Sequence, residues 1–270
     1  MDLATTTHAG HPLLADFVAL NDPDRRREIE RRGDHFVVEG VLALERLLGL
    51  DGWEVRAIAL SPRAAERLGP LVEPWRDRVV VADGNVLRSV VGFDLHRGVL
   101  ASVARRPIVA ADDLVVPGEH RIHVALEGVN DHENLGAIYR NAAAFGCASV
   151  LLDPTCADPF YRRSIRVSLG HVLAVPTGAL APVPTGIEQL RDRGATVLAL
   201  VARGGRPLRS SIPPAPGAPV VVLAGAEGPG LSDAARGAAD AEVTIEMAEG
   251  VDSLNVATAL AVALHHLATG

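Results

Sequence analysis

Lysine is absent from this sequence of 270 residues, so all 26 basic side chains are arginines, and the net charge is −7. An acidic balance argues against binding nucleic acid by overall attraction, because phosphate binding depends on Lys and Arg. Aromatic residues make up only 3% of the chain, whereas 48% of its residues are hydrophobic, which suffices for one large core or two ordinary ones. The sequence therefore predicts a folded protein in which any affinity for phosphate depends on local arginine clusters.

Cysteine pairs and long apolar runs are missing as well. Cys147 and Cys156 occur without a CxxC spacing, so neither a disulfide framework nor a zinc site is indicated, and we expect reduced, structural thiols. No apolar stretch reaches membrane-spanning length, and the first residues, MDLATTTHAGHP, do not resemble a signal peptide. We therefore expect a cytoplasmic protein that makes no membrane contact.

Two arginine clusters are candidates for phosphate contacts, RRREIERR at 25–32 and YRRSIR at 161–166. The planar guanidinium suits bidentate contacts to phosphate. Codon bias of a GC-rich genome together with solvated helix faces is the alternative explanation. The sequence leaves both explanations open.

The sequence pattern in the first half of the chain predicts a small α/β domain. Four apolar runs are typical of strands: HFVVEG, VRAIAL, RVVVAD and GVLASVA. The helical patterns between them end at or before a glycine: VLALERLLGL, PRAAERLG and NVLRSVVG. Pro, Gly and charged residues then come together at 105–121. We therefore predict a first domain at 1–107, a linker at 108–120 and a second domain at 121–270.

The second half repeats the alternation of strands and helices, which is typical of α/β architecture. Its predicted strands are IHVALEG, SVLLD, HVLAV, TVLALVA, PVVVLAG and EVTIEM. Continuous apolar runs indicate strands that are covered on both faces, and hence a mainly parallel sheet. Because ligands of such sheets bind beyond the carboxyl ends of the strands, the loops that follow these strands are the candidate sites.

Three of these loops carry polar residues and glycines. In ALEGVNDHENLGAIYRNAAAFG (125–146), Arg140 and Asn141 are expected in the first two helical turns, near a loop with Asn134. Alternatively, Asn134 is an N-cap and Arg140 an ordinary surface residue. In VVVLAGAEGPGLS (220–232), glycines surround Glu227, so a ligand could approach the backbone, although a tight turn is the alternative.

The third loop precedes the apolar run that ends the chain, IEMAEGVDSLNVATALAVALHHL at 245–267. Ser253 has the chemistry of an N-cap for that predicted helix, and free N–H groups at a helix start attract polar ligand groups. Asn255 has poor helix propensity for a place inside the first turn. Capping explains Ser253 fully and Asn255 only in part.

Together, in this order, the segments NLGAIYRNA (134–142), LAGAEGPGLS (223–232) and IEMAEGVDSLNVATALAVAL (245–264) resemble the three motifs of the SpoU or TrmH family of RNA ribose 2′-O-methyltransferases, in the SPOUT class. The resemblance covers residues 121–270. Residues 1–107 resemble, more loosely, the smaller L30e-like substrate-binding domain of several members that act on rRNA. Three spaced motifs in the correct order are far more specific than any one of them.

The resemblance implies a mainly parallel α/β domain with a deep trefoil knot, S-adenosylmethionine as methyl donor, and a homodimer. It assigns cofactor binding to five positions: Gly225, Glu227, Ile245, Met247 and Leu254. It assigns catalysis or positioning to five: Arg140, Asn134, Asn255, Glu227 and Ser253. Because a guanidinium stays protonated, Arg140 is expected to grip a phosphate and align the 2′-hydroxyl, with the proton passing to phosphate, water or a transiently desolvated Arg140.

Transfer from a sulfonium needs no metal, so the histidines are expected to be surface or packing residues: His120, His123, His132, His265 and His266. RNA is the expected substrate because DNA lacks the 2′-hydroxyl. We favour 23S rRNA over tRNA. A non-catalytic RNA-binding or ribosome-assembly protein of the same fold, and an α/β enzyme acting on a small nucleotide, remain alternatives. The sequence names neither the nucleotide nor the protomer that supplies Arg140 to each site.

Overall fold

The computed structural model describes residues 3–22, 24–25, 28, 34–95, 97–119, 121–210 and 217–269. By internal contacts the chain divides into two compact units. The first comprises Met1–Pro107 and Phe160–Leu173, and the second comprises Ile108–Pro159 and Ala174–Gly270. This division differs from the one drawn from the sequence for residues 160–173, which the sequence assigned to the second domain.

The first unit contains a five-stranded sheet in the order β1-β4-β3-β5-β2. Its strands are β1 (Ala4–Thr6), β2 (His35–Glu39), β3 (Val55–Leu60), β4 (Val79–Ala82) and β5 (Val99–Ala104). Its helices are α1 (Val41–Leu48), α2 (Pro62–Val72) and α3 (Gly84–Val91), with short 3-10 turns at Pro12–Phe17 and Glu73–Arg78. β5 is antiparallel to both neighbours, and the other pairs are parallel. The four strands and three helices predicted for this half are confirmed.

Local sequence signals explain where these helices begin and end. The Ser61 hydroxyl accepts a hydrogen bond from Ala64 N at the start of α2. Asp83 does the same for two amides at the start of α3, and α3 ends at Gly92, whose φ of 85° suits glycine. Because α1, α2 and α3 directly follow the parallel strands β2, β3 and β4, their first turns lie at the carboxyl edge of the sheet.

The second unit is built around an eight-stranded sheet in the order β11-β13-β10-β12-β7-β8-β9-β6. Its strands are β6 (Val109–Ala110), β7 (Ile122–Glu127), β8 (Ser149–Leu152), β9 (Thr177–Ala179), β10 (Thr196–Leu200), β11 (Arg206–Pro207), β12 (Val220–Gly225) and β13 (Ala241–Thr244). Further α-helices with described bounds are α4 (Ala111–Leu114), α5 (His132–Ala144), α6 (Arg162–Val167), α7 (His171–Ala174), α8 (Thr185–Asp192), α9 (Asp233–Ala238) and α10 (Val256–Thr269). Every strand pair in this sheet is parallel, so the predicted α/β class with a mainly parallel sheet is confirmed.

One predicted strand is wrong, because HVLAV forms α7 and the next strand is β9. A five-residue apolar run fits a buried strand or a buried helical turn equally well. Here the chain turns through Leu169 and Gly170, both with positive φ, and a Cβ at Gly170 would lie 2.9 Å from Ala43 Cα. This tight approach leads directly into a helical turn. The sequence does not predict the two- and three-residue strands β1, β6, β9 and β11.

Residues 160–173 pack on the first unit through an aromatic cluster. The ring centroid of Phe160 lies 5.1 Å from that of Phe36 and 5.5 Å from that of Trp53. The indole N–H of Trp53 donates to the carbonyl of Leu173 (3.1 Å), and Arg162 pairs with Glu39 (2.7 Å). In the YRRSIR cluster, Arg162 is therefore committed to a structural ion pair. The RRREIERR cluster lies mostly outside the described residues.

The last helix, α10, is anchored by apolar side chains and by α5. Leu260 and Leu264 are fully buried, and the Asn141 amide of α5 donates to the carbonyl of Ala257 (2.8 Å). Burial of two leucines contributes about 3–6 kcal/mol in transfer terms. The start of α10 is therefore held firmly against α5. Within the described part of the chain, no helix is both long and apolar enough to cross a membrane.

Candidate active site

The three polar loops meet at the carboxyl edge of the second sheet. β7 lies between β12 and β8 in that sheet, and the chain leaves β7 through α5 toward β8, so β7 and β12 flank a topological switch point. Crevices at such points are where open parallel sheets bind ligands. Residues 128–131 follow β7 and residues 226–232 follow β12, which brings two of the predicted loops to this crevice.

The first loop is organised by Asp131, which caps α5. Its carboxylate accepts hydrogen bonds from the amides of Glu133 and Asn134, both at 2.8 Å. Asn134 is thus inside the helix rather than in the loop as expected, and the alternative interpretation of Asn134 as the N-cap is wrong as well. The helix ends as predicted at Gly146, with φ of 67° and the Cys147 amide bonded back to the Ala142 carbonyl. With Asp131 as the cap, the Asn134 side chain is available for other partners.

Asn255 joins all three loops through its side-chain amide. Its Nδ2 donates to Asn134 Oδ1 at 2.8 Å and to Glu227 Oε1 at 2.5 Å. Its Oδ1 accepts from the amides of Ala257 at 3.0 Å and Thr258 at 3.2 Å. Asn255 is therefore the N-cap of α10, and the prediction that Ser253 caps this helix is wrong.

These contacts define which groups of the cluster can still bind a ligand. Both amide hydrogens and the amide oxygen of Asn255 are in use, so Asn255 positions its neighbours. The Asn134 oxygen accepts from Asn255, which leaves the Asn134 Nδ2 as a donor pair with no protein partner within the described residues. Glu227 keeps a second carboxylate oxygen as an acceptor. The cluster therefore presents a donor and an acceptor side by side.

A cavity of about 430 Å³ adjoins this cluster. All five residues predicted to bind a cofactor line it: Gly225, Glu227, Ile245, Met247 and Leu254. Ser253 and Asn255 line it too, whereas Asn134 and Arg140 are not among its lining residues. Leu254 is 38% exposed and lines the cavity, so it gives the cavity an apolar wall.

Two close approaches shape the loop after β12. A Cβ at Gly225 would clash with the backbone of Gly230, and the Gly230 amide donates to the Ala226 carbonyl at 3.0 Å. At the far end of the loop, the Ser232 amide and hydroxyl both donate to the Glu127 carboxylate, at 2.8 and 2.7 Å. The loop that carries Glu227 is thus fixed at both ends, and the glycine at 225 is required by packing.

Ion pairs hold the segment before α10. Arg203 pairs with Asp252, and Arg209 Nε lies 2.8 Å from Glu246 Oε2. Both pairs are exposed, so each contributes no more than about 1 kcal/mol. They connect the chain after β10 and β11 to the strip 246–252, which follows the cavity residue Ile245 and contains the cavity residue Met247.

Arg140 stands apart from the cluster. It lies on α5, six residues after Asn134, which is about 9 Å along the helix axis and about 120° around it. Its side chain is exposed, and no hydrogen bond or ion pair of Arg140 is found in the part of the chain that the structure describes. The structure therefore joins Asn134, Asn255 and Glu227 in one cluster, with Ser253 in the adjoining cavity wall, and leaves Arg140 unpaired.

Two carboxylates of this region were missed by the sequence analysis. Asp131 caps α5, and Asp153, buried at the end of β8, accepts from Gly128 N at 3.0 Å and from the Thr155 amide and hydroxyl. Asp153 therefore fixes the loop after β7. Asp153 could have been found by looking for polar residues at the carboxyl ends of the predicted strands, because it directly follows the run SVLL.

His123 and the two cysteines take structural positions. His123 is buried, its Nδ1 is 2.8 Å from Ser149 Oγ, and burial, with a smaller effect of the Arg121 charge, lowers its pKa to about 4. Burial raises the pKa of both Cys147 and Cys156 to about 12, and both thiols are free. Among the described residues no group of three or more His, Cys, Asp and Glu side chains could hold a metal ion. His120 lies outside the described residues.

Comparison with known proteins places this geometry in a family context. Residues 121–265 match the model of the SpoU rRNA Methylase family. An uncharacterised tRNA/rRNA methyltransferase of Mycobacterium tuberculosis is 38% identical over all of this chain and 96% of the relative. The AdoMet-bound rRNA methyltransferase of Sinorhizobium meliloti superposes with a TM-score of 0.79 at 27% identity, over 98% of this chain and 97% of that one. The SpoU methyltransferase AviRb of Streptomyces viridochromogenes, 24% identical over 92% of this chain and 94% of that one, shares the fold with a TM-score of 0.76.

Proposed function

Because the chain belongs to the SpoU rRNA Methylase family of RNA methyltransferases, we propose that it transfers the methyl group of S-adenosylmethionine to a ribose 2′-hydroxyl in structured RNA. The observation that carries this proposal is the Asn134–Asn255–Glu227 cluster beside the 430 Å³ cavity. A free amide donor and a free carboxylate oxygen stand where an apolar cavity wall begins. This is the combination that a hydroxyl nucleophile and an adenosyl ligand require.

The cavity fits the methyl donor on three grounds. Its volume falls within the usual range of roughly 300–1,000 Å³ for cofactor sites. Ile245, Met247 and Leu254 offer an apolar wall to an adenine ring, and the glycine-rich chain at 225–230 exposes backbone groups to the polar parts of the ligand. When bound, S-adenosylmethionine supplies an electrophilic methyl group on a sulfonium, so no metal is needed for transfer.

The protein side chains have separate roles in this proposal. Asn134 Nδ2 donates to the oxygen that receives the methyl group or to the adjacent phosphate, and Asn255 holds Asn134 and Glu227 in place. Glu227 has one carboxylate oxygen free to orient the hydroxyl. Ser253 supports the same cavity wall. The rate gain comes from holding the 2′-oxygen in line, because the leaving group is already activated.

We assign Arg140 to a phosphate next to the target nucleotide, in an active site completed across a homodimer. Its guanidinium is exposed and unpaired within the described residues, and its position on α5 is about 9 Å along the axis from Asn134. A side chain that points away from its own cluster can serve the cluster of a second copy. A fully protonated guanidinium suits phosphate binding better than proton removal.

RNA is the proposed substrate because the reaction needs a 2′-hydroxyl, and 23S rRNA is favoured over tRNA. The looser resemblance of residues 1–107 to an L30e-like substrate-binding domain, if it holds for this chain, supports a large structured RNA. A tRNA substrate is the second candidate, since the relative in Mycobacterium tuberculosis is described as a tRNA/rRNA methyltransferase. A non-catalytic role is disfavoured because the Asn134 Nδ2 and one Glu227 carboxylate oxygen have no protein partner among the described residues and can contact a substrate.

The test is methyl transfer from labelled S-adenosylmethionine to total RNA from a strain that lacks the gene. We expect label in the rRNA fraction, and alkali-resistant labelled dinucleotides, because a 2′-O-methyl group blocks alkaline cleavage at that ribose. RNA from the parent strain is the control and should accept little label. Label that is released with mononucleotides after alkaline digestion would refute ribose methylation, and label confined to tRNA would replace the favoured substrate with the second.

A further inference from the structure

The first unit contains a second cavity, of about 360 Å³, at the carboxyl edge of its sheet. Three arginines line it: Arg63, Arg67 and Arg97. Among the residues that the structure describes, no acidic side chain lines this cavity. It lies outside the site described above, and we name it the arginine pocket.

Two of the three guanidinium groups have no carboxylate partner. Arg67 lies 3.8 Å from Glu45, whereas no ion pair or hydrogen bond of Arg63 or Arg97 is found in the described ranges of the chain. This sets them apart from the many arginines of this protein that pair with Asp or Glu, such as Arg56 with Asp16 (3.0 Å) and Arg162 with Glu39 (2.7 Å). In a chain with net charge −7, a cavity that retains two unpaired positive charges is a specific site of attraction for anions.

The neutral groups of the arginine pocket also suit an anion. The Ser61 oxygen accepts from Ala64 N, which leaves the hydroxyl proton free to donate into the pocket. Val41, the first residue of α1, lines the pocket, and no side chain caps the first turn of this helix, so its free amides lie near the pocket. Gly98 borders the pocket, and a Cβ there would clash with Ser61 Oγ, so glycine is required for the close approach of these two segments. The pocket therefore has hydrogen-bond donors beside its arginines.

We propose that the arginine pocket binds a backbone phosphate of the RNA substrate. This inference rests on the proposed function. The pocket would be a local positive surface through which a protein of net charge −7 attracts RNA. Two unpaired guanidinium groups, a hydroxyl proton and backbone amides match the oxygens of a phosphodiester. Because such a contact carries no base information, it sets affinity and position on the RNA, and the chemistry stays with the second unit.

The test compares two double variants of the full chain. Arg63→Gln with Arg97→Gln removes the two unpaired charges. Arg76→Gln with Arg88→Gln is the matched control, since these arginines lie in the same unit outside the pocket, are 65% and 61% exposed, and carry the same total charge. Binding to rRNA from the gene-deleted strain is measured across a KCl series. S-adenosylmethionine affinity and thermal unfolding are measured on the same samples.

We expect the pocket variant to lose at least about tenfold in RNA affinity at physiological salt. The slope of its plot of log K against log salt should become shallower by roughly one, because about one counterion is released for each phosphate contact and the pocket binds one phosphate. The control should stay within about threefold of the parent protein, and both variants should keep their cofactor affinity. Equal RNA affinity and salt slope in the two variants would overturn the inference.

Two further outcomes separate this inference from the proposed function. If the unmodified protein binds no RNA at any salt, the proposed function fails. If it binds and methylates RNA while the pocket variant matches the control, only the inference about the pocket fails. Titration with inorganic phosphate identifies a different anion, because saturable phosphate binding that the pocket variant loses, without a change in RNA affinity, would assign the pocket to a small phosphate compound and overturn the proposal.

Discussion

Replacement of Asn255 separates folding from catalysis, because this side chain does two jobs with different atoms. Its oxygen caps α10, and its nitrogen holds Asn134 and Glu227. Asn255→Ala removes both functions. Loss of an N-cap costs about 1 kcal/mol, which lowers the unfolding midpoint of a chain of this size by roughly 2–4 °C. Loss of the bridge lets Asn134 and Glu227 move, and a displacement of about 1 Å can cost about a hundredfold in rate.

Asn255→Asp is the informative partner of that variant. Aspartate keeps the cap oxygen, and its negative charge is favourable at a helix start. It cannot donate a hydrogen bond, however, and it sets a second carboxylate at the 2.5 Å contact with Glu227 Oε1. Because repulsion between the two exposed carboxylates offsets the favourable charge at the helix start, we expect Asn255→Asp to unfold close to the midpoint of the parent protein and yet to lose at least about a hundredfold in methyl transfer.

The assay for both variants is single-turnover methyl transfer with saturating cofactor, together with calorimetry of cofactor binding and thermal unfolding. Single-turnover conditions report chemistry free of product release. If Asn255→Asp keeps more than about a tenth of the parent rate, a barrier change below roughly 1.4 kcal/mol, the bridge to Asn134 and Glu227 is not what positions the reacting groups.

Further predictions concern three other positions. Arg140→Ala should abolish methyl transfer and leave cofactor affinity within a few-fold of the parent value. If Arg140 acts across the dimer, mixed dimers of Arg140→Ala with Asn255→Ala should regain activity. No recovery would show that Arg140 and Asn255 act within one protomer. Leu254→Asp should weaken cofactor binding in calorimetry before it affects RNA binding, since it puts a charge against an apolar ligand face, and unchanged affinity in a folded variant would refute this contact. His123 has a folded pKa of about 4, below its unfolded value of 6.5, so the unfolded chain binds the extra proton and stability falls as pH drops from 6.5 to 4, by about 3 kcal/mol. Because carboxylates with lowered pKa values, such as Asp34 and Glu242, also lose stability toward pH 4, urea unfolding at both pH values should show a loss about 3 kcal/mol larger in the parent than in His123→Leu; an equal loss in both would assign it to other groups.

The parts of the site that could be predicted from the sequence are those fixed by strand order along a parallel sheet. Glu227 follows a continuous apolar run, and such runs end at one edge of the sheet. Strand order therefore predicted the loop, whereas the individual residues of the cavity followed only from the resemblance to the SpoU or TrmH family. The choice of cap was beyond them, because Asp131 and Asn134, or Ser253 and Asn255, have the same capping chemistry. Only the backbone path decides which of two nearby polar residues faces the free amides.

Other features depend on contacts that are distant in sequence. Phe160 looks like part of the segment between two motifs, yet its ring packs on Phe36 and Trp53 of the first unit. Nothing local in DPFYRRSIR indicates those partners. The arginine pocket is a similar case, because Arg63 and Arg97 are 34 positions apart and share a cavity only through the pairing of β3 with β5. Sequence clusters pointed instead to 161–166, where Arg162 is already paired with Glu39.

The last helix shows why an apolar segment begins with polar groups. Leu260 and Leu264 bury completely, and the Ala257 carbonyl accepts from Asn141 of α5, so the first turn of α10 cannot shift without disturbing the core. Asn255 lies one residue before that turn, and its side-chain oxygen is bonded to the amides of Ala257 and Thr258, so its position is fixed with the turn. An amide on a mobile loop would lose entropy each time it bridged Asn134 and Glu227, whereas here folding the core has already met that cost. The apolar helix therefore sets the precision with which Asn134 and Glu227 face a substrate.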